Sequence, residues 1–287
     1  MGYFYAVLSS IMFSLYAFPK KFAKLEPIYY VLFMGISSLF LSVMIYFLLE
    51  INEPFFYKSF FISLSGGVIW FLASFLFFYC IDKIGIAKST QFKSLQGPLG
   101  SLMMFVFLKE YKSLNVILLI FAVVFILMSS FVLVDKGELK NKNNIAYIIL
   151  AILSAFLYGL SGFIRKSLTI KGLVYSQQIY CALGIIVASF LFILLRDKKL
   201  VIKKENTKKY SLALLSGVFY YFASFTMLVS YKYIEGAIAF SLIQLNSMWS
   251  ALIGILIFKE IKFKEKRYKI ILSFVFALIG IVFLLLS

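Results

Sequence analysis

A chain of 287 residues that is 63% hydrophobic and only 14% charged departs from the composition of soluble domains, which are nearer half apolar and a quarter charged. A spanning helix needs about 20 residues, so ten of them would use nearly the whole chain and leave no soluble catalytic or binding domain. The formal charge of +17 would suggest nucleic acid in a soluble protein, but the cations lie mostly between apolar runs, where they face an anionic cytoplasmic leaflet and leave no surface for nucleic acid.

The apolar runs fall in chain order at 3–18, 27–49, 60–80, 86–108, 113–134, 145–164, 173–195, 211–231, 237–258 and 268–286. The first lacks a basic start and a small-residue cleavage site, so it reads as a span and not as a cleavable signal. The bilayer offers no partners to backbone amides, so each run is predicted to be helical. No run alternates polar and apolar residues as a barrel strand would. The expectation is an all-α integral membrane bundle of ten transmembrane helices, multi-pass in the cell membrane and working as a monomer. The connections after odd-numbered helices hold 20 Lys and Arg, and those after even-numbered helices hold seven. The positive-inside rule therefore puts the odd connections, including Lys198 to Lys209, in the cytoplasm and both termini outside.

A repeat organises these elements. Residues 65–112 shifted by 150 fall on 215–262 without a gap, with twelve identical pairs that include Gly67/Gly217, Ser74/Ser224, Leu95/Leu245, Lys109/Lys259 and Glu110/Glu260. Composition alone would give about four. A second match at a shift of 142 pairs Tyr5/Tyr147, Leu8/Leu150, Tyr16/Tyr158 and Lys24/Lys166. Two five-helix repeats result, 1–138 and 139–287. An odd number of helices makes the second copy cross in the opposite sense to the first. Inverted repeats are the architecture of alternating-access carriers, with solute bound near the midplane between the halves.

The repeat unit opens Gly66-Gly67-Val68-Ile69-Trp70, turns at Asp82-Lys83-Ile84-Gly85 and ends Phe107-Leu108-Lys109-Glu110. In this it resembles the drug/metabolite transporter superfamily with its EamA-like fold. The stretch Phe240-Ser241-Leu242-Ile243-Gln244-Leu245, the helix end Phe258-Lys259-Glu260 and the pair Tyr16-Ala17 are most similar to its glucose/ribose uptake group of sugar carriers. That resemblance implies transport of a sugar or sugar-like solute. The fourth run departs from the group: it carries Gln91, Lys93 and Gln96, with its proline later at Pro98. Superfamily members commonly have cytoplasmic termini, which disagrees with the charge count.

Lys93 is the sharpest candidate, since eight residues past Gly85 at 1.5 Å each put it about 12 Å into the helix. A cation at that depth faces a water-filled cavity and an anionic solute group, or its stem snorkels to the nearer interface. Lys88 lies a turn inside the membrane, where snorkelling is favoured. The amides Gln91, Gln96, Gln177, Gln178, Gln244 and Asn246 must face the bundle, where they bind a hydroxyl-rich solute or each other, with Gln177 and Gln244 read as the solute contacts. Tyr16 and Tyr158, and Trp70 and Tyr220, occupy equivalent positions of the two halves and supply aromatic faces. All twelve Asp and Glu fall in loops or at helix ends, so a midplane carboxylate for proton coupling is not visible. With no His, and with Cys80 and Cys181 isolated in apolar runs, neither a metal site nor a cofactor is expected. Catalytic clusters are missing too, so no enzyme is expected. The function read from the sequence is a secondary transporter of a small polar metabolite. The alternative is an exporter or exchanger of amino acids or organic anions that uses Lys93 as counter-charge.

Overall fold

The apolar runs become helices because the backbone has no other partner in a bilayer. The computed structural model describes residues 1–55, 58, 60–85, 89, 92–132, 142–199, 206–256 and 263–286. Lys88, Gln91, Lys259 and Glu260 lie outside these residues. The helices are α1 (Gly2–Leu15), α2 (Phe18–Ala23), α3 (Pro27–Leu48), α4 (Phe60–Ile84), α5 (Gln96–Phe107) and α6 (Val116–Phe131). They continue as α7 (Lys142–Thr169), α8 (Tyr175–Asp197), α9 (Thr207–Tyr233), α10 (Gly236–Ile243), α11 (Asn246–Leu256) and α12 (Phe263–Leu286). Pro27 opens α3 at a position where its missing N–H costs nothing. Asn115 caps α6 by accepting from Ile117 N at 3.2 Å and Leu118 N at 3.3 Å.

Among the described residues, six helical segments are long and apolar enough to cross a membrane: Gly2–Ala23, Pro27–Leu48, Phe60–Ile84, Ile145–Thr169, Tyr175–Asp197 and Thr207–Tyr233. Burial follows the membrane pattern. Phe40, Phe47, Phe61 and Leu195 are exposed, while Ser9, Ser74, Ser154, Ser216 and Ser224 are fully buried. Interior serines close interhelical bonds that the lipid cannot supply. Ser9 Oγ donates to Ala223 O and Ser154 Oγ donates to Ala73 O, both at 2.8 Å. The two acceptors are equivalent residues under the shift of 150.

The packing partners follow the same reciprocity. α4 lies against α7 and α8, while α9 lies against α1 and α3; α5 packs on α7 and α10 packs on α1. α3 meets α8, and α6 meets α12. Backbones approach closely at several glycines, Gly67, Gly184 and Gly217 among them. A Cβ at Gly67 would collide with the Cys181 carbonyl, and one at Gly217 with the Met34 carbonyl. Small residues at these crossings let van der Waals packing hold helices together where no hydrophobic drive exists.

Two continuous apolar runs are broken in space. The run 86–108 turns at Ser94 and Leu95 before α5, and the run 237–258 turns at Gln244 and Leu245 between α10 and α11. These dipeptides are related by the shift of 150, so the chain interrupts both segments at equivalent places. The first span also turns, at Tyr16 and Ala17, whereas its counterpart α7 is unbroken through Tyr158 and runs on to Thr169. That extension corrects the boundary read at residue 164: Arg165 and Lys166 are buried helical residues, not loop cations.

Candidate functional site

Chain breaks leave backbone groups without helical partners, and side chains that can answer them gather there. Gln96, just after the first break, donates from Nε2 to Gln244 Oε1 at 3.1 Å, and Gln244 Nε2 donates to Phe240 O at 2.9 Å. The two segments are thus joined amide to amide near their turns. Beside this junction lies a small cavity of about 30 Å³, lined by Trp70, Lys93, Gln96, Tyr158, Arg165 and Phe240 among others.

Lys93 is 3% exposed, and its ammonium does not run to an interface. It donates to Tyr16 Oη at 3.0 Å and sits over the rings of Phe77 and Tyr158 at 4.5 Å and of Tyr16 at 5.0 Å. Ring faces carry negative potential and attract a cation, the more so away from water. The contact continues as a chain, with Tyr16 Oη 3.2 Å from Tyr158 Oη and Tyr158 Oη 2.8 Å from Ser74 Oγ. Trp70 closes the aromatic wall, tilted on Tyr220 with centroids 4.1 Å apart and edge-on to Tyr158 at 5.8 Å. Tyr220 Oη lies 3.9 Å from Cys181 Sγ.

Arg165, one turn beyond Ser161 on α7, brings a second buried cation to the cavity wall. It donates to Gln178 Oε1, which also accepts from Ser224 Oγ at 2.8 Å. Among the described residues, the Nε of Arg165 and the Nε2 of Gln178 are buried without a hydrogen-bond partner. Most buried polar groups are paired, so two orphans together call for an account.

The residues singled out from the sequence divide three ways. Lys93, Gln96, Tyr158 and Trp70 line the cavity, and Tyr16, Tyr220 and Gln244 contact those residues directly. Gln177 does not reach it: its Nε2 donates to Thr169 Oγ1 at 3.0 Å and to Leu173 O, at the start of α8. Asn246 is buried at the head of α11 with its Nδ2 unpartnered, and Gln91 lies outside the described residues. Arg165 was missed because it follows an apolar run and counts among loop charges. Gln178 was passed over in favour of its neighbour.

The ends of the bundle are tied by carboxylates. Glu110 accepts from Gly236 N and Ala237 N, each at 2.8 Å, capping α10. Lys166, 3.8 Å from Glu110, donates to Tyr231 O at 2.8 Å and to Ile234 O at 3.0 Å, at the end of α9. An anion at a helix start and a cation at a helix end both complement the helix dipoles. Glu53 likewise accepts from Val174 N, Tyr175 N at 2.8 Å and Ser176 N at 3.1 Å before α8. At the opposite end Lys20 donates to both Asp82 oxygens at 2.6 and 2.8 Å, and Arg196 pairs with Glu26. Among the described residues no group of His, Cys, Asp or Glu could hold a metal ion.

Comparison with known proteins agrees with this architecture. Sixteen chains of solved structure match. One crystal structure superposes with a TM-score of 0.71 over 98% of this chain and 94% of its own, at 11% identity, which shows a shared fold alone. No protein with a curated description matches in sequence. The profile of the family described as "Sugar transport protein" matches residues 5–287. A membrane chain matched over that range belongs to the sugar transport protein family.

Proposed function

We propose that the protein is a secondary transporter that carries a sugar across the cell membrane by alternating access, with the central cavity as its binding site. In this reading ten membrane crossings form two inverted five-helix repeats, 1–138 and 139–287. α1 with α2, and α10 with α11, each make one broken crossing, and the chain from Phe92 through α5 belongs to another. The observation that carries the proposal is the pair of breaks at Ser94–Leu95 and Gln244–Leu245, related by the repeat and joined through Gln96 and Gln244. Discontinuous helices meeting at a repeat interface are where such carriers place their solute. Amides with donor and acceptor groups, beside aromatic faces, suit a hydroxyl-rich ring.

The cavity volume supports a moving site. About 30 Å³ holds little more than one water, so a monosaccharide enters only when the helices part. Carboxylate ties at both ends are the contacts that would break and re-form in turn.

Reconstitution tests the reading. Proteoliposomes carrying the protein should take up labelled glucose or ribose, or an acidic derivative of either, faster than empty liposomes do. Gln96→Ala and Gln244→Ala should each slow uptake at least tenfold at matched protein content, the loss expected for one or two hydrogen bonds to substrate. Uptake equal to that of empty liposomes for every sugar tried would sink the proposal.

A further inference from the structure

We infer that the sugar this site accepts carries an anionic group, a carboxylate or a phosphate, held between Lys93 and Arg165. The inference rests on the transport reading above and names the substrate class of that same site. It begins from charge. Two cations line one small cavity and, among the described residues, no Asp or Glu does. Lys93 is 3% exposed and Arg165 2%, and among the described residues neither forms an ion pair. Their protein partners are neutral: a phenol hydroxyl and three rings for Lys93, and one amide oxygen for Arg165.

Removing a charge from water is costly unless a counter-charge or full hydrogen bonding replaces the hydration. The other buried cations meet that requirement. Lys20 has the Asp82 carboxylate, and Lys166 has two carbonyls with Glu110 beside it. Lys93 has one hydrogen bond of the three its ammonium can make, and Arg165 leaves Nε without a partner. Both lie on the same cavity, so the missing partner is one that arrives with the solute. The rest of the wall fits a sugar body around that charge: Trp70 and Tyr158 offer ring faces, and Gln96 offers an amide. A neutral hexose would leave two positive charges buried without a counter-charge and would gain nothing from them.

The experiment compares neutral sugars with charged relatives, the closest pairs being glucose with glucuronate and glucose with glucose 6-phosphate. Thermal unfolding of the purified full chain in detergent would be followed against glucose, glucuronate, gluconate, ribose and glucose 6-phosphate, since specific ligands raise the apparent melting temperature with concentration. Glucuronate or glucose 6-phosphate should bind about ten- to a hundredfold more tightly than glucose, the gain expected from a charge-assisted contact. Whichever of the two binds tighter tells carboxylate from phosphate. Lys93→Met and Arg165→Gln should each cut that preference at least tenfold. Arg165→Lys, which keeps the charge without the planar fork, should keep part of it. If Arg165→Gln does not fold, Lys93→Met and Arg165→Lys decide the matter.

Equal binding of glucose and its acidic counterparts, or a preference that survives Lys93→Met, would overturn the inference and leave a neutral-sugar carrier standing. Binding and uptake of none of the five would sink the sugar reading itself, and this inference with it.

Discussion

Tyr16 does three things at one point of the chain: it ends the first helix, accepts from Lys93 and joins Tyr158 through its hydroxyl. Its backbone carbonyl also accepts from Ser216. Tyr16→Phe keeps the ring face and removes the one hydroxyl that a cation donates to. Stability in detergent should fall by about 1.5–3 kcal/mol, the range for a hydrogen bond to a charged group. Tyr158→Phe breaks only contacts between neutral hydroxyls and should cost about 0.5–1.5 kcal/mol. Equal losses in chemical unfolding of the two variants would show that the Lys93 contact adds nothing. At this scale the sequence could be read for kind but not for direction. Lys93 announces itself as a charge deep in an apolar run. Gln177 and Gln178 do not distinguish themselves, because neighbours on a helix point about 100° apart and only packing decides which faces the centre. Arg165 was hidden by its position, since a charge at the end of an apolar run reads equally as the last residue of a helix or the first of a loop.

Helices meet the same limit at their ends and breaks. The long apolar segments were visible because nothing else in bilayer can satisfy their backbones. The turns at Ser94–Leu95 and Gln244–Leu245 were not, because leucine, serine and glutamine are all compatible with helix and the interruption is set by the partner across the cavity. The corner between α9 and α10 shows how such an interruption is held. Glu110 caps the start of α10 while Lys166 holds the last carbonyls of α9. Glu110→Gln supplies one acceptor where the carboxylate supplies two, and removes the charge facing Lys166. One of the N–H groups of Gly236 and Ala237 then loses its partner. The prediction is that this corner opens more often, by about tenfold for the loss of a charge-assisted bond. A maleimide should label Ala237→Cys, a buried position, about tenfold faster in the Glu110→Gln background, with Cys80 and Cys181 replaced by alanine. An unchanged labelling rate would mean that Glu110 does not hold the corner.

For the whole molecule, the uneven spread of basic residues predicts which end faces the cytoplasm. With 20 Lys and Arg in one set of connections and, once the buried Arg165 and Lys166 are set aside, five in the other, Lys208 belongs inside and Gly172 outside. An impermeant thiol reagent applied to intact cells should modify Gly172→Cys and spare Lys208→Cys. The reverse result would invert the assignment and put both termini in the cytoplasm. The aromatic wall has a separate consequence for how the molecule can be watched. The chain holds two tryptophans, and they lie in different places. Trp70 lines the cavity, while Trp249 on α11 donates to Ser10 Oγ at 3.1 Å. Indole emission responds to nearby charge and to water, so Trp249→Phe leaves a single tryptophan, Trp70, on the cavity that Lys93 also lines. Parting the helices would wet that indole, and closing them over a solute would dry it again. If the protein works by the alternating access proposed above, it therefore contains its own optical gauge of occupancy, and the emission of the buried Trp70 indole could report each step of that cycle without an added dye.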